Sequence, residues 1–141
     1  MIQIRAARAE DAEQLVDLIA LLEHRVDAAG ISRRIAALSI AGIPQLVAAE
    51  GDTVLGLCGL HLMTTIHRNA PVGRITILVV REDARGRGLG RRLVTAAEEL
   101  MRARGCAFLE ITSNRRLEQA HLFYEAIGYE RTSFRFAKAL I

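Results

Sequence analysis

Residues Arg85-Gly86-Arg87-Gly88-Leu89-Gly90 lie between an apolar run, Ile75-Thr76-Ile77-Leu78-Val79-Val80, and a stretch in which Leu89, Leu93, Ala96, Ala97 and Leu100 recur at helical spacing. A glycine-rich turn between a strand end and a helix N-terminus suits an anion. The helix dipole and its unpaired N–H groups favour negative charge, and glycines let a pyrophosphate approach the main chain with no Cβ in the way. Two common phosphate loops fail here. Walker A needs Lys and Ser/Thr after its last glycine, where this chain has Arg91 and Arg92. A dinucleotide fingerprint needs Gly-x-Gly-x-x-Gly, whereas Gly86, Gly88 and Gly90 alternate past mid-chain, with no room for a second βαβ half. A glycine- and arginine-rich surface turn that merely caps a helix stays open on the loop alone.

A second group of chemistry-bearing residues lies in the C-terminal third, Asn114-Arg115-Arg116-Leu117-Glu118-Gln119-Ala120-His121-Leu122-Phe123-Tyr124-Glu125-Ala126-Ile127-Gly128-Tyr129. Ala120, Phe123 and Ile127 share one helical face, and Gly128 supplies a left-handed residue to stop the helix. The pair of segments resembles the GNAT family of N-acetyltransferases. The loop reads as that family's Arg-x-x-Gly-x-Gly, and the later segment as its Asn-x₅-Ala-x₂-Phe-Tyr-x₃-Gly-Tyr/Phe. The resemblance extends along essentially the whole chain.

The resemblance implies acetyl-CoA as cosubstrate and transfer of its acetyl group to a primary amine in a ternary complex. Leu78, Val79 and Val80 would hold the pantetheine arm through their backbone, while their side chains are core. Arg85, Gly86, Arg87, Gly88, Leu89, Gly90 and Arg91 would offer successive N–H groups to the pyrophosphate, each bond to a charged acceptor contributing ~1.5–3 kcal/mol. Arg81, Arg87, Arg91 and Arg92 are candidates for the 3′-phosphate of CoA, with solvated arginines as the alternative. Asn114 matches a cofactor-contacting position and also suits a helix N-cap. Tyr124 matches the family's general acid: a phenol, with an ordinary pKa near 10, is protonated at neutral pH and can donate to the departing sulfur. The alternative is a core tyrosine. His121 either lines the acceptor site or sits exposed on its helix.

The general base is not specified. Many relatives carry a Glu on the fourth strand where this chain has Thr76. Glu82, Asp83, Glu110 and His61 are the remaining candidates, alongside a water chain or no dedicated base.

These residues need a scaffold, and the apolar pattern supplies one. A first strand covers Ile2 to Ala6, and Glu10 and Asp11 open a helix with a Leu15, Leu18, Ile19, Leu22 stripe, their charge suiting its dipole. Ser32 is placed to cap a second helix carrying Ile35, Leu38 and Ile40, which Gly42-Ile43-Pro44 ends. Gln45 to Glu50 and Val54 to Met63 pair through Gly51-Asp52-Thr53, and a further strand runs from Arg74 to Val80. Beyond the loop helix, which Arg104-Gly105 ends, the pattern predicts a strand over Cys106 to Thr112, a helix over Arg115 to Ile127 and a strand over Tyr129 to Lys138. The fold class expected is α/β (α+β), with residues 1–141 as one N-acetyltransferase domain. The resemblance implies a mixed sheet of six or seven strands, splayed between the fourth and fifth and flanked by about four helices.

With 141 residues and 51% hydrophobic content the chain can bury one sizeable core. It lacks a signal-peptide core and any apolar run near the ~18 residues that span a bilayer, so no membrane partner and a cytoplasmic location are expected. Cys58 and Cys106 lack metal-ligand spacing and read as reduced core thiols, with no metal expected. A net charge of +3 suits an anionic ligand such as CoA, and nucleic acid on charge alone. No nucleic acid partner is expected, because there is no Trp to interleave with the arginines and the few other aromatics sit mostly in the core-like C-terminal segment. A homodimer is compatible with the sequence.

For the acceptor, Glu110 to Arg116, Ala120 to Tyr124 and Phe134 to Leu140 are particularly similar to aminoalkylphosphonate N-acetyltransferases. A small amine bearing an anionic group also fits the positive charge. A cationic acceptor would want acids in His24 to Ile31 and Met63 to Asn69, where Asp27 is the only one. A protein N-terminus or lysine side chain as acceptor, and a non-catalytic acyl-CoA-binding module, remain as alternatives.

Overall fold

The computed structural model describes residues 1–141. Its strands are β1 (Ile2–Ala6), β2 (Leu46–Glu50), β3 (Thr53–Met63), β4 (Val72–Val80) and β5 (Leu109–Ile111). Its helices are α1 (Ala12–Ala20), α2 (Ala28–Ile40), α3 (Leu89–Ala103) and α4 (Glu118–Ala126), with 3₁₀ turns at Ala9–Asp11 and Glu82–Ala84. The strands form one sheet in the order β1-β2-β3-β4-β5. The first four are antiparallel neighbours and β5 runs parallel to β4. This is the mixed α/β architecture expected, with five strands instead of six or seven. Two compact units divide the chain, Met1–Glu110 and Ile111–Ile141.

In the first unit the central strands are buried on both faces, which explains their unbroken apolar runs. Leu15 and Leu18 of α1 and Ile31 of α2 pack with Val47, Val54, Leu57 and Val79 in one apolar cluster. Side chains of this size contribute about 1.5–3 kcal/mol each when fully buried. Helix α3 buries Leu89, Leu93, Val94, Ala97 and Met101, and it packs closely on the sheet. A Cβ at Gly73 would lie 2.7 Å from Met101 Cγ, so only glycine fits under the helix there.

The helix starts differ from expectation at two places. Asp11 does not serve the α1 dipole from the surface: it is buried, and its carboxylate accepts two bonds from the Arg5 guanidinium (2.8 and 2.9 Å) and one from the Arg8 N–H (2.8 Å). Helix α2 begins a turn before Ser32, because the Asp27 carboxylate accepts the Gly30 N–H at 2.6 Å and caps it. The Ser32 hydroxyl instead donates to the Ala9 carbonyl at 3.4 Å.

Strand β5 is shorter than the Cys106 to Thr112 expected. The Cys106 N–H is spent on the Met101 carbonyl (3.1 Å), closing α3 through Gly105, and Gly73 N–H of β4 donates to the Phe108 carbonyl (3.2 Å) just ahead of β5.

In the second unit, α4 starts at Glu118 rather than Arg115, because residues 115–117 turn around the Asn114 carbonyl, which accepts the Leu117 N–H at 2.9 Å. Its half-buried face carries Ala120, Phe123 and Ile127 as the spacing predicts. Gly128, at φ 99°, stops it: Tyr129 N–H donates to the Tyr124 carbonyl (3.0 Å) and Gly128 N–H to that of Glu125 (3.1 Å). The expected strand over Tyr129 to Lys138 is absent. Phe134, Phe136 and Leu140 are exposed, and the strand-like alternation of this segment meets no ladder partner. No helix is long and apolar enough to cross a membrane.

Candidate active site

The loop after β4 is built to leave its amides unpaired. Gly86 and Gly88 take positive φ of 79° and 74°, and Gly88 occupies the N-cap of α3. The first helical bond of α3 runs from Arg92 N–H to the Gly88 carbonyl at 3.1 Å. Upstream of it, the N–H groups of residues 86–91 donate to no protein acceptor. A Cβ at either glycine would face open space, so the hollow side of the turn is accessible to a ligand. Six consecutive free amides, two αL glycines and a helix N-terminus suit a pyrophosphate.

The arginines around this loop are not equivalent. Arg81 forms a two-bond pair with Asp83 (2.9 and 2.5 Å), Arg87 lies 4.0 Å from Glu50, and Arg92 donates to the Ile2 carbonyl at 3.0 Å. Arg85 reaches back to the Val80 carbonyl at 3.3 Å. Arg91 alone among the four candidates for a CoA phosphate makes no such contact.

Strand β4 carries a bulge immediately before the pantetheine-holding candidates. Gly59 pairs with Ile77 and Leu60 with Ile75, leaving Thr76 as the extra residue. On the β2 side of β3 the Gln45 side chain accepts from the Leu60 N–H (2.7 Å) and donates to the Leu60 carbonyl (3.0 Å). Beyond the bulge Leu78, Val79 and Val80 pair with Cys58, Leu57 and Gly56 of β3. In that ladder alternate N–H and C=O groups point away from β3, and the Val80 carbonyl accepts from Arg85 Nε. Val79 is buried and its neighbours are half-buried, as the core reading of their side chains requires.

Two of the candidate bases are already engaged. Glu110 Oε1 accepts from Arg74 Nη2 and Nε at 2.6 and 2.8 Å. Asp83 is held below the usual carboxylate range by its bonds to Arg81, which leaves it a weak proton acceptor at neutral pH. His61 and Glu82 are exposed.

In the second unit, Asn114 Oδ1 accepts the Arg116 N–H at 2.9 Å, an Asx turn and not the N-cap of α4, a place taken by Leu117. The His121 ring bonds the Asn114 carbonyl at 2.9 Å. Tyr124 is half-buried on α4, with the Phe123 ring edge-on at 5.6 Å between centroids.

One feature escaped the sequence reading. The early start of α2 sets Arg25, Val26, Asp27, Gly30, Arg33 and Arg34 around an open hollow of about 470 Å³. The signal was Asp27 three residues before Gly30, an N-cap spacing that starts the helix ahead of Ser32.

Comparisons with known proteins agree on the fold and on the class of chemistry. The sequence model of the acetyltransferase (GNAT) family matches residues 32–129. The chain is 33% identical over 140 residues to the aminoalkylphosphonate N-acetyltransferase of Salmonella typhimurium, covering 98% of this chain and 91% of the relative. Among solved structures, a protein of Agrobacterium tumefaciens superposes with a TM-score of 0.81 at 26% identity, over 96% of this chain and 99% of the other. The glucosamine-6-phosphate N-acetyltransferase of Arabidopsis thaliana has the same fold, with a TM-score of 0.85 at 19% identity over 100% and 99% of the two chains.

Proposed function

We propose, from the premise that this chain belongs to the acetyltransferase (GNAT) family, that it moves an acetyl group from acetyl-CoA to the primary amine of a small anionic molecule. The observation that carries the reading is the run of six unpaired amides from Gly86 to Arg91. A Cβ at Gly86 or Gly88 would meet nothing within 4 Å, unpaired amides at a helix N-terminus suit a pyrophosphate, and the guanidinium of Arg91 offers a further charge to a phosphate of CoA. Residues 1–141 act as one N-acetyltransferase domain in this reading.

Acetyl-CoA supplies an acyl carbon activated as a thioester. The residues of this chain hold it and manage protons. The outward backbone of Leu78, Val79 and Val80 pairs with the pantetheine arm, and one of their N–H groups polarises the carbonyl oxygen. Asn114 helps to hold the cosubstrate. The acceptor nitrogen forms its bond to the acyl carbon and loses a proton to water, the C–S bond breaks, and the Tyr124 hydroxyl donates its proton to the sulfur. Thr76 occupies the bulge where a carboxylate base would stand, and Asp83 and Glu110 are tied to arginines, which favours a water chain or no dedicated base over those two carboxylates.

The anionic acceptor is supported by three facts. The Salmonella relative is named for aminoalkylphosphonates, the chain carries a net charge of +3, and Asp27, the one acid in the two acceptor segments, is committed to capping α2. The test is release of free CoA thiol from acetyl-CoA in the presence of aminomethylphosphonate. Thiol release that depends on the amine supports the reading, and tight acetyl-CoA binding without turnover of any primary amine overturns it in favour of a binding module.

A further inference from the structure

The second unit, Ile111–Ile141, buries none of its residues. Its apolar exposure is concentrated near its end, where Phe134 is 90%, Phe136 93% and Leu140 89% exposed. Covering a side chain of this size contributes about 1.5–3 kcal/mol, and in the single chain that contribution is not realised.

The same residues also lack backbone partners. Beyond the bond from Arg131 to Glu125, residues 132–141 make no hydrogen bond, although each carries a main-chain donor and acceptor. Phe134, Phe136 and Leu140 fall on one side of an extended chain, and Arg135, Ala137 and Ala139 on the other. The segment therefore needs a ladder and an apolar cover together. A sheet edge supplies both. A lipid surface supplies only the cover, since unpaired N–H and C=O groups in hydrocarbon are costly.

The chain has such an edge in β5, which ends the sheet with β4 as its one neighbour. Leu109 and Ile111 of β5 are half-buried, and Phe108 just ahead of it is 41% exposed. The opposite edge, β1, is guarded by charge: the guanidiniums of Arg92 and Arg5 donate to the Ile2 and Ala6 carbonyls, each at 3.0 Å. That leaves β5 as the edge suited to strand addition.

We propose that residues 133–140 are the docking strand of a homodimer, each copy adding this segment to β5 of the other. A two-fold exchange occupies both segments and both edges at once and leaves no end open to further addition. A foreign sheet edge would satisfy the segment and leave β5 bare. The area is sufficient. A phenylalanine covers roughly 150–250 Å² when buried, so Phe134, Phe136 and Leu140 of both copies withdraw on the order of 1,000 Å² of apolar surface. The strand backbones and the two receiving edges bring the total into the range of about 1,200–2,000 Å² typical of a stable, specific interface.

Sedimentation velocity on the full chain should give the mass of two 15.5 kDa chains. The double variant Phe134→Ser, Phe136→Ser removes the apolar cover, and Ala137→Pro removes a ladder donor while keeping that cover. Each should weaken the dimer about 100-fold or more, and because all three positions are exposed, circular dichroism should show the helices and sheet intact. Photolysis of a Phe136→benzoylphenylalanine chain locates the contact: the expected product is a two-chain band whose joined peptide spans residues 108–112. A monomeric wild type overturns the exchange, and so does a dimer that survives both variants. A cross-link within one chain, one to a part of the second copy other than this edge, or no cross-linked dimer at all overturns it equally. A wild-type monomer that pellets with phosphatidylserine vesicles identifies lipid as the occupant instead.

Discussion

Gly59 of β3 lies directly beneath Thr76 of β4: a Cβ on Gly59 would stand 2.7 Å from Thr76 Oγ1 and 2.6 Å from Ile77 Cγ2. The bulge that re-aims β4 before Leu78 therefore depends on the absence of a side chain on the neighbouring strand. Gly59→Ala must displace the bulge. It should cost about 1–3 kcal/mol, the usual range for overpacking, seen as a lower urea midpoint with unchanged slope, together with weaker acetyl-CoA binding. An alanine variant as stable and as tightly binding as the parent would separate the bulge from the site.

Tyr124→Phe keeps the ring and its edge contact with Phe123 while removing the hydroxyl. If the phenol protonates the departing thiolate, kcat falls by ~10²-fold and acetyl-CoA affinity stays nearly constant. Steady-state kinetics and calorimetry on the same preparation check this. Full turnover in the variant removes the general-acid role.

Much of this arrangement was legible in the sequence, because it follows from local rules. The glycine loop, the strand before it, the stripe of α3 and the Gly128 stop of α4 are each set by residues within a few positions of one another. What was not legible depends on partners distant in the chain. Asp11 reads as a dipole residue until Arg5 is seen to reach it, and Thr76 reads as an ordinary strand residue until its register against Gly59 is known. Phe134 and Phe136 alternate like a strand, but alternation does not supply the ladder a strand needs. The arginine hollow was hidden for a simpler reason: Ser32 and Asp27 are both good N-caps, and choosing between them moves Arg33 and Arg34 by more than a helical turn.

The Arg5–Asp11 pair gives the fold a pH limit. The Arg5 bond, opposed by burial and aided by the Arg8 N–H, holds the Asp11 carboxyl below its usual range. A folded pKa below the unfolded value of about 3.9 means the contribution is complete above roughly pH 5 and is lost as pH falls through the folded value. Asp11→Asn should cost about 1–3 kcal/mol at neutral pH by removing the charged partner of the half-buried Arg5 guanidinium, and should flatten the acid limb of the Tm profile. An unchanged acid limb would assign that loss to other groups.

Burial pushes the Cys58 thiol up to about 12, so it holds almost no thiolate at neutral pH. Cys106, half-buried, is also raised by burial, with the Arg104 charge opposing the shift. An aromatic disulfide reagent at pH 7.5 should therefore titrate no more than one thiol in the native protein and two in denaturant. Rapid reaction of both thiols in the native state would contradict the packing of β3. The result also sets the background against which released CoA thiol is read.

The central claim is that acetyl-CoA is held by the backbone of Gly86 to Arg91, and calorimetric titration of Gly88→Val with acetyl-CoA tests it most directly. Valine puts a branched side chain on the open face of the turn, at a φ of 74° that β-branched residues avoid, while α3 keeps its buried stripe from Leu89 to Met101. A melt of the same variant establishes that it is folded. The account predicts a Kd weaker by well over tenfold, about 1.4 kcal/mol for each decade. An unchanged Kd in the folded variant would contradict it, because the cosubstrate would then be held by something other than this loop.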